Sequence, residues 1–293
     1  MERIILKNEH LKATLLQPGD PVYRRTRFDW TGFMTGVELD GKYTFTVKEQ
    51  ENPERRTTGG EGFCCEYPFD QVINEAAIGE RFPKPGVGLL TRPDEKPYHF
   101  GRDYEVVPFE KKTEIHEDYA VFVQEPMEAL GYAFRETKTV RLEGQSIVTE
   151  TVLENTGDKE LELEEYNHNF VGINHLPIGP DYELDYPGFD FTGKPDCDCI
   201  RAQESHITWY TAPTHPFYYE LPSPQENDKP YNWKLINTKA GAGVCEKVDA
   251  PLGVSRCKLW GVDHVSSCEV MVRIRIPAGE SMKWTRTLSF FEI

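Results

Sequence analysis

Helical periodicity is hard to find anywhere in this chain of 293 residues, which points away from helical bundles. No apolar run approaches the length that a membrane-spanning helix needs. The amino terminus, MERIILKNEHLKATLL, breaks its apolar residues with charge from the second position, so it lacks the unbroken apolar core of a secretory signal. Positive charge is in deficit: 33 Lys and Arg stand against 49 Asp and Glu, a formal charge of −16 that opposes binding to phosphate backbones or anionic lipid. Nucleic-acid and membrane partners are therefore not expected, and the acidity reads as a solvated surface. The seven cysteines are odd in number and show no CxxC spacing. Their close pairs, Cys64-Cys65 and Cys197-Asp198-Cys199, lack the two-residue gap of a structural zinc site, so reduced thiols and a cytoplasmic location are the expectation.

Catalytic signatures are missing as well. There is no GxSxG elbow, and His175, His206, His215 and His264 do not have the spacing of a metal cage, so neither a serine nucleophile nor a metal is expected. Gly86 and Gly88 lie in a proline-bracketed segment with no helix opening after it, which argues against a phosphate-binding loop.

What is present is strand-like. Short β-rich runs recur at Arg3–Leu6, Lys12–Leu16, Tyr43–Val47, Tyr104–Phe109, Tyr119–Gln124, Tyr132–Leu142, Ser205–Tyr210, Lys234–Asn237 and Cys268–Ile276, mostly separated by turn formers. With 21 Pro, 23 Gly and 12% aromatic residues, the pattern predicts an all-β antiparallel fold with long irregular loops, either a large two-sheet sandwich or a barrel. A hydrophobic content of 38% suffices for a substantial core, and no linker or repeat divides the chain, so residues 1–293 read as one domain. Gln50–Arg81 and Leu176–Ala202 read as long loops, of the kind that carry function when ordered.

The most informative stretch is Ser146–Phe170, SIVTETVLENTGDKELELEEYNHNF, which reads as a β-hairpin turning at Asn155-Thr156-Gly157-Asp158. In its second strand Leu161 and Leu163 fall on one face, and Glu162, Glu164, Tyr166 and His168 on the other. If a carboxylate such as Glu164 approaches it, His168 is protonated near neutral pH and can serve as a general acid. Near the carboxyl end, Val270, Val272, Ile274 and Ile276 share one face, leaving Glu269 with Met271, Arg273 and Arg275 on the other. Glu269 is there either a solvated partner of Arg273 or a catalytic carboxylate. Arg27 in RTRFDWTGF can clamp hydroxyls or pair with Asp29, while Trp30 offers a face on which sugar C–H surfaces stack. Lys84, Glu66 and His99 are weaker candidates, each readable as a solvated loop residue.

The run ENTGDKELELEEYNHNFVGIN, with Asn155-Thr156, Asp158, Asn167, His168 and Phe170, resembles the aldose 1-epimerase (galactose mutarotase-like) superfamily. Looser similarity covers RTRFDWTGF, KPGVGLL and CEVMVRIRIPAGESMKW. The resemblance implies a galactose mutarotase-like β-supersandwich and the interconversion of α and β anomers of an aldose or aldose phosphate. It implies that His168 protonates the ring oxygen and Glu269 removes the anomeric proton, without a cofactor, in a monomer or homodimer. It further implies that Arg27, Lys84 and Asn167 hold hydroxyls and that Trp30 lines the cleft, although simple alternation turns Asn167 away from His168. The His-Gly-Gly segment of galactose-type members is absent: His99 is followed by Phe100, and Asp263 in LWGVDH is only a stand-in for their second aspartate. Galactose preference therefore does not follow.

The competing readings on the same scaffold are a non-catalytic carbohydrate-binding protein and another sugar isomerase or lyase. A phosphosugar would need converging cations, which Arg27, Arg81 and Lys84 supply if they meet.

Overall fold

Strands dominate the computed structural model, which describes residues 2–52, 54–187, 198–221 and 230–293. One antiparallel sheet runs in the order Ile4–Lys7, Leu11–Leu15, Met34–Leu39, Phe63–Glu66, Leu161–Asn169, Val265–Ile276, Val254–Val262 and Phe217–Leu221, with Tyr43–Thr44 beside Met34–Leu39. A second runs Ile200–Gln203, His206–Trp209, Tyr182–Asp185, Trp233–Asn237, Ala242–Asp249, Ser281–Glu292, Ser146–Asn155, Phe134–Glu143, Tyr119–Gln124 and Lys111–Ile115. Arg81–Lys84, Gly88–Thr91 and Val106–Pro108 form a small third sheet. Of the two expected architectures, the sandwich is the one adopted.

Period-two alternation is what lets the two large sheets stack. Along Phe134–Glu143 every second residue is buried, and the apolar inner faces merge into one continuous core. Phe45 of one layer meets Phe290 of the other with ring centroids 4.8 Å apart. The interlayer space also holds charge: Arg286 binds Glu165 at 2.7 Å and Glu246 at 3.0 Å, all three buried. A single guanidinium with five donors satisfies two carboxylates there, the arrangement that makes a buried charge tolerable.

The expected Ser146–Phe170 hairpin is corrected. Both strands form, as Ser146–Asn155 and Leu161–Asn169, but they belong to different sheets. The intervening turn crosses between layers. Asn155 holds it by donating to the carbonyls of Lys159 at 2.8 Å and Ile276 at 2.9 Å, while the amides of Asp158 and Lys159 donate to the Gly131 carbonyl. Turn residues permit the tight reversal, but these docking contacts decide its direction.

The two expected loops also contain structure. Gln50–Arg81 includes the strand Phe63–Glu66 and a 3-10 turn at Asp70–Glu75, and Leu176–Ala202 includes Tyr182–Asp185. Phe63–Glu66 is buried at all four positions, so it shows no alternation to read. Cys64, Cys65, Cys199, Cys245, Cys257 and Cys268 are free thiols; Cys197 lies outside the described residues. No helix among the described residues is long and apolar enough to cross a membrane.

Candidate active site

His168 and Glu269 are brought together by strand register. The ladder between Leu161–Asn169 and Val265–Ile276 pairs Glu165 with Val272, opens, and is picked up again by a bridge between Val171 and Ser266. Carried across the gap, that register sets His168 opposite Glu269. Their side chains meet with Nε2 and Oε1 3.1 Å apart, both nearly fully buried. Glu165 and Asn169 point to the second sheet, where they meet Arg286 and Glu246, so His168 faces the other way, onto the outer face of its sheet.

The pair lies in the wall of a cavity of about 420 Å³, with Arg27, Glu66, Tyr166, Lys258, Trp260 and Phe100 around it. Glu66 is the cross-strand partner of Tyr166, and Lys258 that of Glu269, so neighbouring strands supply these groups in register. Arg27 enters from the loop between the second and third strands of the sheet. It donates to Glu66 at 2.7 Å, Thr58 at 3.1 Å and the Tyr166 hydroxyl at 3.2 Å, and its guanidinium lies over the Phe100 ring at 4.4 Å. The predicted Asp29 partner is corrected: Asp29 instead binds the buried Lys138.

The electrostatics of the pair run against a protonated imidazole. Burial pushes His168 well below its ordinary 6.5, and the charges of Arg27 and Lys258 push in the same direction. Glu164, expected to raise it, is occupied by Ser255 and Arg256 and lines a different recess. His168 Nδ1 is buried without a hydrogen-bond partner among the described residues. Burial raises Glu269 to about 7, against the opposing pull of Arg27 and Lys258. The ring of the pair is thus neutral, and below about 7 the carboxyl keeps its proton, because forming two charges in a desolvated wall is unfavourable. Glu66 shows the opposite balance: burial would raise it, but Arg27 and Lys84 together outweigh burial and lower it.

The remaining sequence candidates separate from this centre. Lys84 is buried one layer behind, donating to the Tyr67 carbonyl at 2.6 Å and lying 3.9 Å from Glu66, so it supports Glu66 without lining the cavity. Asn167 faces the interlayer space beside Glu165 and Arg286, as a period of two requires. Trp30 turns to a different cavity, its indole N–H held by the Arg25 carbonyl at 2.9 Å. His99 is exposed and stacks on Phe100, and it is Phe100 that reaches the cavity. Asp263 is exposed beside His264, in another recess, and Arg81 is exposed. Arg27, Arg81 and Lys84 therefore do not form the converging cation set that a phosphate would need. Nothing local marks Lys258 and Trp260, whose signal is the register of strands far apart in sequence, whereas Tyr166 shares the His168 face by alternation. Among the described residues no three of His, Cys, Asp and Glu converge as metal ligands.

Two stacked antiparallel sheets with a polar cavity on one outer face define a β-supersandwich. It is the galactose mutarotase-like fold, shared with aldose 1-epimerase homologues. A Synechocystis protein superposes over 100% of this chain and 96% of its own with a TM-score of 0.60 at 14% identity. A galactose mutarotase-like protein from Lactobacillus casei matches over 99% of this chain and 100% of its own, with a TM-score of 0.60 at 11% identity. An aldose epimerase homologue from C. elegans matches over 100% and 99%, with a TM-score of 0.56 at 11% identity. No protein-family model and no curated protein sequence matches this chain.

Proposed function

We propose that this chain is an aldose 1-epimerase-type sugar isomerase in which His168 and Glu269 move the protons of ring opening and closure. The observation that carries this reading is their 3.1 Å juxtaposition in a cavity wall with opposite pKa displacements. The ring oxygen and anomeric hydroxyl of a pyranose are bonded to one carbon and lie within a few ångströms of each other. An acid and a base side by side can therefore address both at once. Transfer of the resting proton from Glu269 to Nε2 gives imidazolium and carboxylate without changing the proton count. In that form His168 protonates the ring oxygen as Glu269 takes the anomeric proton; the C1–O5 bond breaks, C1–C2 turns, and closure on the other face returns both protons. Arg27 and Lys258 are placed to meet hydroxyls, and Trp260 and Phe100 to meet apolar sugar faces.

The test is NMR exchange between anomers over a panel of aldoses and aldose phosphates, for the wild type, His168→Asn and Glu269→Gln. Acceleration by the wild type and its loss in both variants supports the reading. Sugar binding with no acceleration of any anomer exchange replaces it with the non-catalytic carbohydrate-binding alternative.

A further inference from the structure

A second cavity, of about 490 Å³, lies where Trp30, Phe109, Val106 and Pro18 come together, and its polar groups are Lys111 and the exposed Arg24. Trp30 and Phe109 are themselves nearly fully buried, so the cavity has a fixed aromatic wall. Its size and its apolar lining with a few polar groups are those of a small-molecule site.

Lys111 is held in an unusual way for a lysine. Its Nζ donates to the Val87 carbonyl at 2.9 Å and lies 3.5 Å from the Phe109 carbonyl. The third direction runs toward the rings, with Nζ 5.0 Å from the Trp30 centroid and 5.7 Å from that of Phe109. Asp29 and Glu136 are the carboxylates whose charge reaches it, but both are bound to Lys138. The Val87 and Phe109 carbonyls are the backbone acceptors its Nζ reaches, and its remaining side faces the aromatic wall of the cavity. Burial also lowers Lys111 from 10.5 to about 8, against the pull of Asp29 and Glu136. Desolvated lysines of this kind are the ones that form imines.

We propose that Lys111 is a carbonyl-trapping amine and that the Trp30–Phe109 cavity binds aldehydes carried on an aromatic body. The amine lone pair adds to the carbonyl carbon, a proton moves from nitrogen to oxygen, and loss of water gives the imine. No redox partner is needed. Trp30 and Phe109 supply the stacking surface that an aromatic aldehyde has and a small polar aldehyde lacks.

The experiment is competitive reductive labelling of the wild-type protein at pH 7.5 with benzaldehyde or glyceraldehyde, using cyanoborohydride to reduce the imine and peptide mass mapping to locate it. With benzaldehyde, Lys111 is expected to be modified about tenfold faster than the exposed Lys7 and Lys239. Its rate is expected to reach half its maximum near pH 8. Trp30→Ala should reduce labelling at Lys111 and leave Lys7 and Lys239 unchanged. Labelling of Lys111 no faster than of Lys7 and Lys239 overturns the proposal, as does a faster reaction of Lys111 with glyceraldehyde than with benzaldehyde.

Discussion

Lys258 is the cross-strand partner of Glu269, and its charge acts on both members of the proposed acid–base pair. A cation disfavours proton uptake by His168 and favours ionisation of Glu269, so it lowers both. In Lys258→Met both groups should titrate at higher pH, and both limbs of the pH profile of kcat/KM for anomer exchange should move upward together. A change in rate with unmoved limbs would mean that Lys258 acts only on the sugar.

In the wild type the sign of the pH response follows from the two displacements. Glu269 loses its proton through about 7, which leaves a carboxylate and a neutral ring that is a poor acid. His168 gains an extra proton only well below 6.5, which removes the base. Anomer exchange should therefore fall as pH rises through about 7 and persist into mildly acidic solution. Glu269→Gln and His168→Asn should each lower kcat by about a hundredfold to ten-thousandfold. An activity that rises through pH 7 would contradict the placement of the resting proton.

Arg27 makes a charge pair that supports the cavity wall. Removing its guanidinium leaves Glu66, which is 4% exposed, with the Lys84 cation at 3.9 Å and the Tyr166 hydroxyl that donates to it. Arg27→Met is expected to cost about 3–5 kcal/mol in urea unfolding. Because the folded value of Glu66 is depressed, its contribution is complete above the ordinary 4.5 and is lost as pH falls through the lower folded value. The difference in stability between wild type and Arg27→Met should accordingly shrink in acid.

Gly157 tests the interlayer crossing. A Cβ there would lie 2.5 Å from the Ala133 amide nitrogen and 2.7 Å from the Gly131 carbonyl oxygen, both backbone atoms. Gly157→Ala is expected to lower stability by about 1–3 kcal/mol, read as a fall in the urea midpoint with the slope unchanged.

Strand positions and side-chain faces were legible in sequence wherever polar and apolar residues alternate. Alternation put Leu161 and Leu163 opposite His168, set Glu269 apart from Val270, and turned Asn167 away from His168. It failed where polar and apolar residues do not alternate: Phe63–Glu66, FCCE, shows no periodicity, and with it went the link from Glu66 to Arg27. Turn chemistry at Asn155–Asp158 is the same for a hairpin as for a crossing between layers, so residues alone did not separate the two. Lys258, Trp260 and Phe100 join the cavity through pairings and loops far from His168 in sequence. Trp30 was read by proximity to Arg27, but the chain between them is irregular and directs the two side chains to different cavities.

The crossing at Asn155–Asp158 also bears on how the chain folds. Ser146–Asn155 and Leu161–Asn169 are adjacent in sequence yet become inner strands of opposite layers, and each must wait for partners supplied by the last third of the chain. Early local pairing cannot complete either sheet. Such non-local topology places folding at the slow end, on the order of milliseconds to seconds or longer, with closure of the two layers as one cooperative event.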